Sequence, residues 1–340
     1  MGFEVDVVLP AGIEPAREAA KHFEKLGYHG LYTAETTNDP LLDLAFPALE
    51  TTTPMLSNNL VIAFARSPYS VASSAWNLQQ ASKGRFALGL GTQVKGHITR
   101  RFGMTWDSPG PRFREYIEMC KELWTAWQER RPANYRGKFY QSTVNNPFFT
   151  PGPINYPAPK VFIAAINSYN AESVGLVADG ILIHPLHSPK FIDEQLMPNI
   201  DKGLAKSGRK RADITVICPV FLAVGDTPEQ VQTASGFVKQ QVAFYGSTRT
   251  YAKIFETHGW GDTPPKLHEK MAKGDMAGMA QEITDEMVET FAITGKPDEA
   301  ADEIKKRYGG KADRVYFYNI GATPLSDEGR QRELIAALSS

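Results

Sequence analysis

The sequence predicts an α/β protein folded as a single (β/α)8 TIM-type barrel. Short, nearly continuous apolar runs alternate about eight times with longer amphipathic runs along the 340 residues. Continuous apolar strands indicate burial on both faces and therefore a parallel sheet. Eight strand–helix units in one chain favour closure into a barrel. A doubly wound open sheet is the alternative, but it calls for a glycine fingerprint near the N-terminus, which this sequence lacks.

Each of the eight predicted units pairs a strand with a helix whose apolar residues recur on one face. In the first half, the strands are predicted at 4–10, 30–35, 58–65 and 85–91, and the helices at 14–28, 41–53, 70–82 and 114–130. In the second half, the strands are predicted at 160–166, 179–185, 213–225 and 314–320, and the helices at 170–178, 191–208, 228–245 and 297–308. The seventh strand is long for one layer, and Pro219 is expected to bend it.

Three long segments interrupt this alternation within one domain covering residues 1–340. They lie at about 92–111 after strand four, 137–159 before strand five, and 248–286 after strand seven. Long loops in compact domains are usually functional lids or disordered segments. Because the active sites of such barrels lie at the C-terminal ends of the strands, the loop that begins at Thr92 after strand four is expected to leave from the rim of the site.

Composition and charge exclude several classes of function. A net charge of −1 provides no field that favours nucleic acid or an anionic membrane. No apolar stretch approaches the roughly 20 residues of a membrane span, and the N-terminus reads as a strand rather than a signal peptide. The two cysteines, Cys120 and Cys218, are expected to be buried reduced thiols. We therefore expect a cytoplasmic protein.

The stretch ALGLGTQVKGHITRRFGM, residues 87–104, lies close to two phosphate-binding motifs without matching either. Gly91 and Gly96 have the spacing of a Walker A loop, but His97 and Ile98 replace its Lys and Ser/Thr. Gly89 and Gly91 begin a dinucleotide fingerprint, but Val94 stands at its third glycine, and a basic loop without helical periodicity is expected to follow. A buried strand that ends at a glycine is the simpler interpretation.

The residues that follow the strands are poor in acids and nucleophiles. Glu35 is nearly the only carboxylate, so a two-carboxylate glycosidase is disfavoured, and no G-x-S-x-G elbow occurs. His184 and His187 form an H-x-x-H pair that Glu35 could complete, but metal-dependent barrels usually bring several carboxylates, so we expect no metal. A rim rich in hydroxyls, amides and aromatic rings suits a bound cofactor that carries the reaction.

Several stretches resemble the bacterial luciferase-like superfamily of (β/α)8-barrel flavin and deazaflavin oxidoreductases, in particular its F420-dependent branch. They are GYHGLYTAET around strand two, IAFARSPYSVASSAWNLQQASKGRFALGLGTQVKGHITRRFGM around strands three and four, NSYNAESVGLVADGILIHP around strands five and six, and ITGKPDEAADEIKKR before the last strand. The run from the Arg-Ser-Pro turn to RRFGM is the most specific.

The resemblance implies a cofactor ring over the end of strand three, backed by a non-prolyl cis peptide near 58–60. The cofactor-binding residues that we predict on this basis and from the position of the strand ends are Asn58, Asn59, Ala63, Phe64, Thr92, Gln93, Val94, Ile166, Asn167, Arg100 and Arg101. Of these, Ile166 and Asn167 match a turn near the cofactor phosphate. Arg100 and Arg101 could supply positive charge, although a surface role is an equal alternative.

The chain departs from the F420-dependent sugar-phosphate dehydrogenases of this superfamily. Thr36 and Thr37 stand where those enzymes carry a catalytic His, and Val94 stands where they carry a Glu. Glu35 and His97 remain as catalytic proton donors, since a His with a pKa near 6.5 suits that role. The predicted substrate pocket comprises Thr36, Thr37, Phe148, Phe149 and His184, with the two phenylalanines in a lid that excludes water.

These observations favour an F420-dependent oxidoreductase that transfers a hydride between the deazaflavin and a hydrophobic small molecule with an activated C=C bond, a carbonyl or a nitroaromatic ring. The first alternative is an FMN-dependent monooxygenase that uses a separate flavin reductase. The second is a barrel that binds a flavin without turnover. The expected partners are a small-molecule substrate, a cofactor-reducing enzyme and, by resemblance to a family rich in dimers, a second copy of the chain.

Overall fold

The computed structural model describes residues 2–340 and shows a closed barrel of eight parallel strands. Each strand pairs with the next, and the last pairs with the first. The strands are β1 (Glu4–Val8), β2 (Gly30–Thr33), β3 (Met55–Asn58), β4 (Phe86–Gly91), β5 (Lys160–Ala164), β6 (Gly180–Leu182), β7 (Thr215–Val224) and β8 (Arg314–Phe317). The predicted barrel is therefore confirmed, with all eight strands shorter than the apolar runs suggested.

Helices surround the barrel and also build its insertions. They are α1 (Ile13–Leu26), α2 (Ala45–Glu50), α3 (Pro68–Ala81), α4 (Lys95–Arg100), α5 (Pro109–Glu129), α6 (Ser168–Val177), α7 (Met197–Ser207), α8 (Pro228–Gly246), α9 (Ala252–Glu256), α10 (Thr263–Ala272), α11 (Met276–Gln281), α12 (Asp285–Phe291), α13 (Ala300–Tyr308) and α14 (Glu328–Ser339). Sequence patterns did not predict α14, which packs between α1 and α13. Among residues 2–340, no helix combines the length and the apolar character that a membrane span requires.

The barrel interior is filled by a small cluster separate from the main core between strands and helices. Its members are Tyr32, Ala87, Phe162, Leu182, Ile217 and Tyr316. Toward the N-terminal side of β1 and β8, the Arg314 guanidinium forms a fork-shaped ion pair with the fully buried Asp6, with Nε 2.8 Å from Oδ2. The pair lies against Gly30, which has no side chain to compete for the space. The barrel interior is therefore a packed core rather than a pore.

Strand three differs from its prediction, because it ends at Asn58 where the sequence analysis had it begin. A cis peptide joins Asn59 to Leu60, as the resemblance implied for this region. The chain then pairs with β4 a second time through Val61–Ile62 and enters a 3-10 turn at Ala63–Ala65. The apolar run was thus read in the wrong register, because it combines a bulge, a short bridge and a turn into one continuous hydrophobic pattern.

Strand β7 is long because its two halves serve different partners. Its first half pairs with β6 as far as Ile217, and its second half pairs from Phe221 with an additional strand, Ala292–Gly295, which the sequence analysis missed. Pro219 falls in the gap between these pairings, so its missing N–H costs no ladder bond. The strand therefore continues through Pro219 as one element.

The insertions contain more regular structure than the sequence suggested. Residues 95–100, predicted as a loop without helical periodicity, form α4, and most of the segment 248–286 is helical. The segment 137–159 lies on the outer side of α3 and α5, to which it is tied by hydrogen bonds from Trp76 to Gly152 and from Gln128 to Ile154.

Candidate active site at the barrel mouth

A cleft of about 440 Å³ opens at the C-terminal ends of β4 and β5. Residues that follow both strands meet there with the first turn of α5 and one residue of the third insertion. The lining residues are Thr92, Gln93, Val94, Lys95, Trp106, Pro109, Gly110, Pro111, Asn167, Tyr169, Asn170 and Thr250. Four predicted cofactor-binding residues, Thr92, Gln93, Val94 and Asn167, are therefore brought together in one concave site.

Helix α6 presents its N-terminus to this cleft. Asn167 is the N-cap, and its Oδ1 accepts a hydrogen bond from the Asn170 N–H at 2.9 Å. An asparagine cap fixes the first turn of a helix, and the unpaired N–H groups of that turn, together with the helix dipole, favour an anion. This end of the cleft is therefore suited to a phosphate or carboxylate.

The backbone between β4 and α4 has an unusual conformation at Gln93. Its φ of +58° lies in the left-handed region, which residues other than glycine seldom adopt. The Thr92 hydroxyl donates to the Gln93 carbonyl at 3.1 Å, and the Gln93 side chain accepts from the Val94 N–H at 3.0 Å. These local bonds hold the turn, and non-glycine residues in this region cluster at ligand-binding sites.

Lys95 is the one cation in the lining of this cleft. The other basic residues of the same segment lie outside it: His97, Arg100 and Arg101 are exposed on and after α4. The Arg101 guanidinium donates to the Thr36 carbonyl at 2.8 Å and so joins the loop after β2 to α4. As placed here, Arg100, Arg101 and His97 are surface residues, and Lys95 is the cation that the sequence analysis did not select.

Glu35 is a structural acid in this conformation. Its Oε2 accepts from the Ile62 N–H at 2.7 Å and from Arg66 Nη1 at 2.8 Å, and Arg66 also reaches Asp39 at 3.1 Å. The Glu35 side chain therefore ties the end of β2 to the segment after the cis peptide. Thr36 and Thr37, which follow it, are exposed, and the Thr37 hydroxyl donates to Asn38.

The asparagines at the end of β3 also have structural partners. Asn58 is fully buried, and both polar atoms of its side chain bond to the backbone of Gly89. Asn59 donates to the Tyr316 hydroxyl at 2.9 Å, at the top of the interior cluster. Among the other predicted cofactor residues, Ala63 and Phe64 are buried, the Phe64 ring meets Trp106 edge-on, and Ile166 packs against the core.

A second group of side chains, which we term the tyrosine–histidine cluster, adjoins the cleft over β6 to β8. It comprises His184, Tyr245, Tyr251 and Tyr318. The His184 ring stacks on Tyr251 at 4.3 Å and meets Tyr245 edge-on at 4.6 Å, and the Tyr245 and Tyr318 hydroxyls are 2.5 Å apart. Because Thr250 lines the cleft beside Tyr251, the third insertion joins the cleft to this cluster.

Both histidines after β6 are held neutral. Burial lowers the pKa of His184 to about 3 and that of His187 to about 4. His184 Nδ1 accepts from the Leu186 N–H at 3.1 Å, so its proton is on Nε2. His187 has Nδ1 beside the His184 carbonyl and Nε2 3.1 Å from the buried Cys218 thiol. Within residues 2–340, no group of three or more His, Cys, Asp or Glu side chains could hold a metal ion.

The structure does not bring the predicted aromatic lid to the cleft. Phe148 and Phe149 are 87% and 71% exposed, and neither lines the cleft. They lie on the outer side of α3, where the Tyr69 hydroxyl donates to the Phe149 carbonyl at 3.1 Å. Their insertion precedes β5 and so returns to the far end of the barrel, a constraint that the sequence pattern carried but that we did not apply.

Sequence reasoning missed most of the aromatic residues at the site. Trp106 and Tyr169 line the cleft, and Tyr245, Tyr251 and Tyr318 form the cluster beside it. Only Tyr318 carried a usable signal, since it follows directly after β8 and has the same parity as the inward-facing Tyr316. The others come from helices and insertions, where strand-end reasoning does not apply.

Comparison with known proteins agrees with this architecture. Residues 3–314 match the family model described as luciferase-like monooxygenase. The chain is 41% identical over 312 residues to an uncharacterised protein of Mycobacterium tuberculosis (strain ATCC 25618 / H37Rv), covering 92% of each chain. It is 30% identical over 270 residues to 5,10-methylenetetrahydromethanopterin reductase of Archaeoglobus fulgidus, covering 77% of this chain and 76% of the relative.

Among solved structures, the coenzyme F420 dependent tetrahydromethanopterin reductase of Methanopyrus kandleri superposes with a TM-score of 0.76. The sequences are 20% identical, and the superposition covers 99% of this chain and 97% of the reductase, so the fold is shared along the whole length. On the strength of the family match across nearly the entire barrel, the chain belongs to the luciferase-like monooxygenase family.

Proposed function

We propose that this protein is an F420-dependent oxidoreductase that transfers a hydride between the deazaflavin and a hydrophobic small molecule. The observation that carries the proposal is the cleft at the ends of β4 and β5, where an anion-favouring helix end, amide and hydroxyl groups, a lysine and aromatic rings meet. The coenzyme F420 dependent tetrahydromethanopterin reductase of Methanopyrus kandleri shares the fold over 99% of the chain.

The residues present fit such a cofactor. A deazaflavin combines a flat tricyclic ring with a phosphate-bearing side chain, so its site needs a flat apolar wall and an anion-binding end. Trp106 and Pro109 supply apolar walls, and Asn167, Asn170 and Lys95 supply the polar end. Gly110 contributes by having no side chain, because a Cβ there would strike the Tyr169 ring at 2.6 Å. The cleft is thus shaped by close packing of the helix starts.

In this proposal, Thr92, Gln93 and Asn167 hold the cofactor, and the first turn of α6 receives its phosphate. The bound cofactor supplies hydride-transfer chemistry without oxygen activation. The tyrosine–histidine cluster borders the reacting region and excludes water, which strengthens hydrogen bonds made there. Because Glu35 is ion-paired with Arg66, and His97 lies on the surface, neither is positioned here as the proton donor that we expected.

An FMN-dependent monooxygenase is the alternative, supported by the description of the matching family model. FMN has a similar ring and a phosphate, and the cleft offers the same groups to both. A barrel that binds a flavin without turnover is a third reading. The first two differ in chemistry rather than in fold, since one transfers hydride only and the other must also protect an oxygen adduct.

A paired titration tests the proposal. The purified protein is titrated with F420 and separately with FMN, followed by fluorescence. Tight F420 binding with weak FMN binding, together with turnover of reduced F420 on unsaturated or carbonyl acceptors, is the expected result. Tight binding of FMN alone would contradict it and favour the monooxygenase. Bound F420 that no donor reduces and no acceptor reoxidises would instead favour the non-catalytic reading.

The variant Asn167→Asp tests whether the cofactor binds in the cleft at the ends of β4 and β5. Aspartate preserves the cap of α6 but sets a negative charge against an anionic cofactor, so Asn167→Asp should weaken binding while the protein keeps its melting temperature. Gly152→Ala is the matched control, because nothing lies within 4 Å of its added Cβ. Equal affinities for Asn167→Asp and Gly152→Ala would place the cofactor elsewhere.

We further propose that an enzyme that reduces the cofactor works with this protein in the cytoplasm, and that the chain forms a homo-oligomer. The net charge of −1 supports neither a nucleic acid nor a membrane partner. Light scattering coupled to size-exclusion chromatography measures the oligomeric state directly, and a monomeric mass at micromolar concentration would contradict the homo-oligomer.

A further inference from the structure

Tyr318 occupies a special place at the barrel mouth. It directly follows β8, its ring caps the interior cluster beside Leu60 and Ala164, and it stays partly accessible while Tyr316 below it is buried. Phe221 packs edge-on against its ring at 4.9 Å. The Tyr318 side chain therefore lies between the packed interior and the open mouth, next to the residue that follows the cis peptide.

The backbone around Tyr318 is fixed on both sides. Its N–H donates to the Val220 carbonyl at 2.9 Å. The buried Asn319 side chain then continues the pairing with β7, because Oδ1 accepts from the Leu222 N–H at 2.8 Å and Nδ2 donates to the Leu222 carbonyl at 2.7 Å. A side chain on such a support is held in position for an interaction with a ligand.

A count of hydrogens identifies the free donors in this region. The Tyr245 and Tyr318 hydroxyls share one hydrogen bond, so one of their two hydrogens is left over. His184 accepts at Nδ1, which leaves its Nε2–H as a second donor. The Tyr251 hydroxyl, which has no hydrogen-bond partner among residues 2–340, is a third and lies on the ring stacked against His184. Neighbouring polar groups are already engaged: Asn59 bonds to Tyr316, Asn319 to Leu222, and Glu35 to Arg66.

We propose that Tyr318, supported by Tyr245 and accompanied by the Nε2–H of His184, donates a hydrogen bond and then a proton to a carbonyl oxygen of the substrate. This inference rests on the proposed function and narrows it: the substrate is a carbonyl compound, either a ketone or aldehyde or a conjugated enone. His184 and Tyr318 both contact Tyr245, and two neutral donors suit a single oxygen that gains negative charge. No carboxylate is required.

In the proposed step, a reduced deazaflavin would supply the hydride and Tyr318 the proton. Reduction of a ketone adds a hydride to the carbonyl carbon, the C=O π pair moves to oxygen, and that oxygen takes the proton from the Tyr318 hydroxyl. In an enone, the hydride adds to the β carbon, the electron pair passes through the conjugated system, and the oxygen is protonated to the enol. The hydrogen bond from Tyr245 stabilises the Tyr318 oxygen after proton loss, and water restores the proton.

A spectroscopic experiment tests the hydrogen bond without relying on turnover. The probe is 2-cyclohexen-1-one, and infrared difference spectroscopy follows its C=O stretch when it binds to the wild-type protein and to Tyr318→Phe. A hydrogen bond lowers this frequency, so we expect a downshifted band in the wild type that returns toward the free value in Tyr318→Phe. Tyr69→Phe, which removes a hydroxyl on the outer side of α3, should retain the downshift.

Kinetics and cofactor binding then distinguish a failure of the role of Tyr318 from a failure of the proposed function. Tyr318→Phe should lower kcat for 2-cyclohexen-1-one by about 10²-fold or more, as for loss of a general acid, while the F420 dissociation constant stays within about twofold. An unchanged infrared band in Tyr318→Phe, or a loss confined to F420 affinity, would overturn the role of Tyr318. A wild-type protein that does not bind F420 would overturn the proposed function itself.

Discussion

The backbone carbonyl oxygen of Asn58 occupies the space that a side chain on Gly89 would need. The Asn58 side chain also bonds to the Gly89 backbone, accepting from its N–H at 3.3 Å. Two residues further along β4, Gly91 leaves room for Leu60, whose side chain would lie 2.6 Å from an added Cβ. The glycines of the stretch ALGLG therefore allow β3 and its cis peptide to pack on β4. In this structure they do not form a phosphate loop.

Substitution at Gly89 should accordingly disrupt the fold. Gly89→Ala introduces a Cβ into backbone that cannot move away, so we expect a loss of at least about 1–3 kcal/mol in the free energy of unfolding, the range seen for overpacked cores. Urea unfolding measures this value. Gly236→Ala is the matched control, because its position within α8 has nothing within 4 Å of the new Cβ, and alanine there should raise stability by up to about 1 kcal/mol. Equal stability of the two variants would refute the packing role of Gly89.

Lys95 and Arg100 offer a test of which cation serves the cleft. Lys95 lines it and Arg100 does not, although both lie on α4 and both are exposed. Lys95→Gln should weaken F420 binding several-fold and reduce its dependence on salt, whereas Arg100→Gln should bind as the wild type does. Titrations at two ionic strengths provide the comparison. The reverse ranking would restore Arg100 as the cofactor-binding residue.

Glu35 and Arg66 should behave as one structural unit. Their side chains are mostly buried, with N–O contact at 2.8 Å, so residues in direct contact should couple by about 0.5–3 kcal/mol in a double-mutant cycle of unfolding free energies. Glu35→Gln, Arg66→Met and the double variant supply the cycle. If Glu35 instead donates the catalytic proton, Glu35→Gln will lower kcat far more than Arg66→Met does.

The neutral histidines predict how stability varies with pH. Because the folded-state pKa values of His184 and His187, about 3 and about 4, lie below the unfolded value, protonation favours the unfolded chain. Their contribution is complete above about pH 6.5 and is lost as the pH falls toward the folded-state values, with a slope of up to about 1.4 kcal/mol per pH unit for each histidine.

Urea unfolding between about pH 7 and pH 5 checks this dependence. His184→Gln and His187→Asn keep a polar group near the position of one ring nitrogen but cannot titrate, so each should flatten the curve. A variant whose slope equals that of the wild type would show that the substituted histidine titrates alike in both states. The His187 variant also changes the contact between His187 Nε2 and the Cys218 thiol, which lie 3.1 Å apart.

The barrel could be predicted because its signal is periodic and local. Apolar runs such as 86–91 can be buried on both faces only in a parallel sheet, and the strand ends then put Thr92 and Asn167 at one rim. The register of β3 could not be predicted this way, because a bulge and a turn kept the hydrophobic pattern unbroken. Ala292–Gly295 was hidden because it follows α12 directly, without a break in the sequence.

The site itself was predictable only in part. Strand-end reasoning placed Thr92 and Asn167 at the rim where the cleft lies. Trp106, Tyr169 and Tyr251 reach the mouth from elements whose direction depends on tertiary packing. Phe148 and Phe149 show the opposite error, because aromatic composition alone suggested a lid. Ion pairing of Glu35 with Arg66 joins positions 31 residues apart, and no local pattern signals such a pair.

The pairing of β7 with Ala292–Gly295 brings together the two ends of the long segment that connects them. The Gly225 N–H donates to the Gly295 carbonyl at 3.1 Å, so the chain leaves and rejoins the barrel at a single point. Residues 226–294, which include Tyr245, Thr250 and Tyr251, therefore form one inserted segment whose two ends are adjacent. Replacing this segment would exchange Thr250 at the cleft and the two tyrosines beside it, while the eight barrel strands and the cleft residues that follow β4 and β5 stay as they are.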